Sequence, residues 1–149
     1  MYQPLSMYIT LLKKDFDSFC NRRLQEIGLS QGLMFFVIYI GNHPDCSPKD
    51  LSAAIKADTG HTTRSVEKLV KSGFVTKETK ETDKRAFQLQ LTEKGLKAFK
   101  EIKNLFKDWD EIMLKDIPKD HKETMLKVLS SLKKSSCSTQ DSTCKFSKR

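Results

Sequence analysis

Between Asp58 and Gly73 the chain carries Gly60, His61, Arg64, Glu67, Lys68 and Lys71. At about 100° per residue, a helix from Thr59 to Ser72 gathers these on one face, with Thr63 at its flank. The opposite face receives Thr62, Val66, Leu69 and Gly73, with Val70 beside them. Such a helix hides one side and offers a row of donors on the other. The Arg64 guanidinium fits a guanine edge or a phosphate, the Thr63 hydroxyl and the helix N-terminus suit phosphate, and the His61 imidazole suits either. Small residues at its start let it enter a major groove about 12 Å wide. Further on, Lys80, Lys84 and Arg85 place cations on one loop, and an arginine at a loop tip can enter a minor groove, whose negative potential attracts it. Asp83 has the wrong sign for a phosphate; it suits orienting Arg85 or holding an arginine of the preceding helix. Each segment alone also fits a solvated helix face or a solvated turn, and their succession is what favours nucleic acid.

The surrounding elements must position these groups. Ser47-Pro48-Lys49-Asp50 opens a short helix with a hydroxyl cap, a proline where its missing N–H costs nothing, and an acid in the first turn. Leu51, Ala54 and Ile55 give that helix a small buried face. Only Lys56 and Ala57 separate it from Asp58, the cap of the next helix, so the pair reads as a helix-turn-helix. After Gly73 the period changes from 3.6 to 2. Phe74 to Glu78 is a strand candidate, and Phe87-Gln88-Leu89-Gln90-Leu91 alternates as a half-buried strand does. The polar stretch 79–86 between them lacks a tight Asn-Gly turn, so it is expected to project as a wing.

Upstream, Leu5, Tyr8, Ile9, Leu12, Phe16, Phe19, Arg23, Leu24 and Ile27 recur at helical steps up to the stop at Gly28. Ser30 is a candidate N-cap, with Leu29 and Met34 as a hydrophobic staple, for a helix over 31–41 that is apolar almost all round. Downstream, Thr92 caps a helix with Leu96, Phe99, Ile102, Phe106, Trp109 and Met113 on one stripe, ending near Ile117-Pro118; a last helix over 119–134 presents Met125, Leu126, Val128, Leu129 and Leu132. The expected fold is mainly α with a small antiparallel β-hairpin. It is a winged helix-turn-helix (31–95) between an N-terminal dimerisation helix (1–30) and C-terminal dimerisation helices (96–134), followed by a disordered basic tail (135–149). The terminal helices carry more apolar stripe than a small helix-turn-helix can cover, which predicts a two-fold homodimer.

At 149 residues and 17.1 kDa the chain has room for one domain or one protomer of a dimer, not for a separate catalytic domain. Its net charge of +8 lies mainly in the middle and the tail and suits a polyanionic partner. The longest apolar run, Leu33 to Ile40, falls far short of the ~20 residues that cross a bilayer. With no signal segment before it, a cytoplasmic location is expected. Cys20, Cys46, Cys137 and Cys144 show no C-x-x-C spacing and read as free thiols. His43 and Cys46 make only half a zinc site. No Gly-rich phosphate loop, metal cluster or Ser/His/Asp set is visible, so the reading is of a protein that is not an enzyme and needs no cofactor.

The runs Asp58-Thr59-Gly60-His61-Thr62-Thr63-Arg64, Lys68-Leu69-Val70-Lys71-Ser72-Gly73-Phe74-Val75, Thr82-Asp83-Lys84-Arg85-Ala86 and Leu91-Thr92-Glu93-Lys94-Gly95 resemble the MarR (multiple antibiotic resistance regulator) family of bacterial winged-helix transcription factors. The motifs cover about 58–95, and the flanking helix pattern extends the resemblance over roughly 1–134. Thr62 stands where that family usually has an aliphatic residue, and its methyl fits the buried face. The resemblance implies that Arg85 enters the minor groove, that Thr63 and Arg64 sit at the major groove, and that the terminal helices form the dimer. With Gly60, His61, Lys68, Asp83 and Lys84 these are the expected DNA-binding residues. Many members bind a small lipophilic, often anionic effector, for which Tyr8, Phe16, Phe36, Tyr39 and Trp109 are the candidate lining residues; the same aromatic spacing also fits a plain core. Some relatives sense oxidants through a cysteine near the start of the first helix, whereas the only candidate here, Cys20, lies late in it. The expected function is a homodimeric, sequence-specific regulator, a repressor, reading a pseudo-palindromic operator in double-stranded DNA. Sequence-neutral architectural DNA binding, a protein-interaction module and redox sensing through Cys20 stand as alternatives.

Overall fold

The computed structural model of the chain describes residues 2–143, and side-chain surroundings through residue 135. The elements are α1 (Leu5–Glu26), α2 (Gln31–Asn42), α3 (Pro48–Ile55), α4 (Thr59–Lys71), β1 (Val75–Lys80), β2 (Asp83–Leu91), α5 (Glu93–Leu114) and α6 (Lys119–Thr143). They divide into two compact units, Met1–Trp109 and Asp110–Arg149.

The first unit is built around α2. Being apolar on nearly every side, α2 buries Met34, Phe36, Val37 and Ile40. Leu24 of α1, Leu51 of α3, Val66 and Leu69 of α4, Leu89 of β2 and Ile102 and Leu105 of α5 close over it. Where α2 approaches α5, Gly41 leaves room for the Phe99 ring; a Cβ there would lie 2.6 Å from ring carbons. Between α1 and α5, Phe16 and Phe19 pack against Trp109 with ring centroids 5.4 and 5.3 Å apart. Arg23 donates to Asp108 at 2.6 Å beside them. The N-terminal half of α1 is different, for Leu5, Tyr8, Ile9 and Leu12 all remain about half exposed.

Local signals account for the helix ends. Ser47 and Asp50 form a reciprocal capping box, each backbone N–H donating to the other's side chain at 3.0 Å. Ser30 has the extended backbone of an N-cap but its hydroxyl makes no capping bond. Lys56, at φ 56°, turns the chain sharply enough for α4 to begin after a short link. Gly73, at φ +81°, ends the turn after α4. Thr92 then ties three elements together: its hydroxyl donates to the Gly73 carbonyl at 2.5 Å and accepts the Gly95 N–H at 3.1 Å. Lys94 donates to the Ser72 carbonyl at 2.8 Å. Gly95 itself is required by closeness, since a Cβ there would lie 2.0 Å from the Phe74 carbonyl oxygen.

The wing differs from its expected form. Strands β1 and β2 pair antiparallel from Val75↔Leu91 to Lys80↔Asp83, with an irregularity between Thr79 and Lys80, so only Glu81 and Thr82 form the turn. Most of the stretch expected as a projecting loop is therefore strand. Its outer residues are solvated on both faces, which removes the apolar alternation that marks a strand in sequence, while backbone pairing extends the ladder regardless.

In the second unit, α6 runs to Thr143 rather than ending near Lys134. The first part of the tail expected to be disordered, 135–143, is thus helical. No Gly or Pro interrupts 119–143, and Ser, Lys and Thr tolerate propagation of a helix already started. The rest of that tail, 144–149 with Cys144, lies outside the described residues. None of the described α6 side chains is buried, and Met125, Leu126, Val128, Leu129 and Leu132 are all exposed.

Candidate nucleic-acid interface

Helix α4 divides much as its spacing predicts. Thr62, Ser65, Val66 and Leu69 are buried, whereas Gly60, His61, Thr63, Arg64, Glu67, Lys68 and Lys71 are exposed. Val70, expected beside the buried face, is 39% exposed. The inward Thr62 hydroxyl needs a partner, because an unpaired buried hydroxyl is costly. It finds Ser52 of α3 at 2.9 Å, and Ser52 in turn donates to the Ala57 carbonyl at 3.0 Å. The turn between the two helices is therefore pinned by a polar chain, with Thr62 donating to Ser52.

The outward groups are partly fixed. The His61 ring lies edge-on to the core ring of Phe36, centroids 5.8 Å apart. The Thr63 hydroxyl donates to the Thr59 carbonyl at 2.8 Å, leaving it only as an acceptor. Asp58 caps α4 by accepting the His61 N–H at 2.8 Å. That bond holds the Asp58 carboxyl below its ordinary value, and the nearby charge of Arg64 adds to the effect. A carboxylate already occupies the start of α4, so the phosphate expected at this helix N-terminus meets a negative charge there instead of open N–H donors.

On the wing, Lys84 and Arg85 are exposed. Asp83 accepts the backbone N–H of Arg85 at 2.9 Å. Of the roles expected for it, this is the orienting one, exercised through the main chain. A groove of about 790 Å³ joins wing and helices, lined by the N-cap Ser47 and by Lys49 and Asp50 of α3, by Thr59, Thr62 and Thr63 of α4, and by Lys80, Arg85 and Phe87 of the wing. Lys49 thus joins the site without having been singled out, beside the expected Lys80. Their charges lower the Asp50 carboxyl further, after the larger effect of its bonds from Ser47. The signal for Lys49 was its place in a first helical turn, where cations are disfavoured and need another reason to be there.

The remaining candidates scatter. Phe36 is core, Phe16 and Trp109 pack on each other, Tyr8 is half exposed, and Tyr39 stacks on His43 at 4.2 Å. Phe16 borders a cleft with Lys13, Gln31 and Met34, while Tyr39 borders a separate one with Ile38, Ala54 and Ile55. The five aromatics expected to line one effector site therefore do not share a cavity, because helical spacing alone cannot separate core rings from lining rings. Cys20 is fully buried and its thiol is pushed up to about 11, by burial first and then by the charge of Asp17. Such a group stays a thiol near neutral pH, which removes the reactivity that the redox alternative needs. Among the described residues no group of His, Cys, Asp or Glu is placed to hold a metal ion, and no single helix is long and apolar enough to cross a membrane.

Comparison with known proteins agrees with this geometry. The family model described as MarR family matches residues 29–87. The chain is 42% identical over 134 residues to the HTH-type transcriptional regulator BilQ of Clostridium symbiosum (strain WAL-14163), spanning 90% of this chain and 93% of that protein. It is 36% identical over 128 residues to the regulator of the same name from Clostridioides difficile (strain CD3), covering 86% of each. The solved structure of Streptococcus pneumoniae FabT in complex with DNA superimposes with a TM-score of 0.81 at 24% identity, over 90% of this chain and 96% of FabT.

Proposed function

Since the chain belongs to the MarR family and is a transcriptional regulator that binds DNA, we propose that it does so as a cytoplasmic homodimer that represses by occupying a pseudo-palindromic operator. Two copies present their α4 helices to successive major grooves, about 34 Å apart, and their wings to the adjacent minor grooves. Within each half-site Arg64, Thr63, His61 and Lys68 face base edges and phosphates, and Arg85 enters the minor groove with Lys84 on the flanking phosphates. The observation that carries this reading is the single groove bordered by Thr59 and Thr63 of α4 and Arg85 of the wing, with the exposed cations of both elements around it. Dimerisation is supported by the exposed apolar rows of α1 and α6, and repression by the ability of a compact dimer to occlude a promoter without further contacts. Within this reading a small lipophilic or anionic effector releases the DNA; Phe16 and Trp109 are the two predicted lining aromatics that the fold brings together.

Selection of bound sequences from a random duplex pool, with purified full-length protein at physiological salt, tests the reading. An inverted repeat with half-site centres one helical turn apart is expected. A pool that stays random despite binding would mean sequence-neutral contact with phosphates, and no binding at low salt would remove DNA as the partner of this face.

A further inference from the structure

Gly60 is the residue of α4 that local physics explains least. It lies in the first turn, its φ is not in the left-handed region, and glycine in a helix is less favourable than alanine. What glycine supplies here is space. The site that a Cβ would take lies 3.3 Å from an Nη1 of Arg64 and 3.3 Å from an Oδ1 of Asp58. Arg64 is four residues further along, so its side chain leans back over the first turn, as helical side chains do. Its guanidinium and the capping carboxylate therefore face each other across the bare backbone of Gly60, close enough for their charges to interact but without a direct ion pair.

We propose that Asp58 is a positioning residue that, across the open surface of Gly60, aims Arg64 at one base pair of each half-site. The reading rests on the DNA-binding role proposed above and adds what sets its sequence preference. Asp58 is well placed for this because its carboxylate is immobilised by the His61 N–H at 2.8 Å. A guanidinium drawn toward this carboxylate without being bonded to it keeps its donors free for the O6 and N7 of a guanine, the geometry that gives the strongest base discrimination. The carboxylate also repels phosphate, so it disfavours registers in which Arg64 would slide onto the DNA backbone. Neighbouring donors are less free to take over: the Thr63 hydroxyl proton is engaged with Thr59, and the His61 ring rests on Phe36.

The test compares wild type with Asp58→Asn, Gly60→Ala and Arg64→Ala on the selected operator and on its single-base-pair variants at one salt concentration. Arg64→Ala identifies the base pair it reads by losing preference there, on the order of 5- to 100-fold. Asp58→Asn keeps a good cap but removes the charge; Gly60→Ala keeps the charge but fills the space. Both are expected to weaken preference at that same base pair by about fivefold or more, while Asp58→Asn raises affinity for random duplex and lowers thermal stability only slightly, because asparagine still caps the helix. Full base preference in both variants, or a weakening spread evenly over all positions, would overturn the inference while leaving the regulator intact. If Arg64→Ala changes no position, Arg64 is not a base reader and the inference falls with it. A wild-type protein with no preference at all would overturn the proposed function itself.

Discussion

Helices α4 and α6 are both amphipathic, yet they end in opposite conditions. Helix α4 buries Thr62, Ser65, Val66 and Leu69 within its own unit and shows solvent a polar face. Helix α6 repeats apolar residues at the same helical steps, Met125, Val128 or Leu129, then Leu132, and none of its described side chains is buried. Spacing alone therefore establishes that a helix has an apolar side, not where that side goes. Where a single chain satisfies the apolar side, the polar side becomes informative, because its cations were free to vary and are gathered beside the wing. Where the chain leaves it bare, the proposed dimer supplies a cover, because a second copy presents a surface that is equally bare.

The comparison can be broken in several places. The largest effect is expected from Gly95→Ala in the winged region, since the new Cβ would overlap the Phe74 carbonyl. Thermal unfolding should report a loss of about 3 kcal/mol or more, in the upper range for overpacking or beyond it; an unchanged melting temperature would mean that the junction of α4, β2 and α5 is not rigid. For the terminal region, Leu129→Asp should weaken self-association by about 2–4 kcal/mol in sedimentation, as for a central interface residue, while the winged region stays folded by circular dichroism. Arg85→Ala should reduce operator affinity by ~1–3 kcal/mol without changing the oligomer, and unchanged affinity would take the wing out of the mechanism. Ser52→Ala should cost about 1–2 kcal/mol of stability by orphaning the Thr62 hydroxyl, and adding Thr62→Val should recover most of it.

The smallest effect is in acid. Asp50 and Asp58 have carboxyls held below their ordinary value of 3.8 by the hydrogen bonds they accept. Depressed native values mean that the unfolded chain takes up protons first. The stability these caps contribute is therefore complete above the ordinary value and is lost as pH falls through the lower native ones. Unfolding midpoints at pH 7, 5 and 3 should drop only over the last interval, and Asp50→Asn should flatten that drop.

These differences follow what sequence can and cannot encode. The ends of α3 and α4 were legible because Ser47, Pro48, Asp50, Asp58 and Gly73 act within a turn of where they stand. The two faces of α4 were legible because period and polarity coincide there. The length of the wing was not, since the ladder extends out to Lys80 and Asp83 through backbone groups while the side chains there stay polar on both faces. Continuation of α6 beyond Lys134 was hidden for a related reason, composition having stood in for the missing helix breaker. Of the site, the exposed donors could be read, Lys80 among them, but Lys49 joins through a groove formed by distant segments. Gly60 looked like a small residue for groove entry, and its importance as room for Arg64 and Asp58 is visible only in three dimensions.

The mass of the full-length chain in solution, by sedimentation equilibrium across the micromolar range, tests the contrast between the two helices most directly. The account predicts a particle of twice the 17.1 kDa chain that falls apart in Leu129→Asp. A particle of 17.1 kDa at every concentration would contradict it, leaving the bare row of α6 unexplained and the operator without a second reading helix.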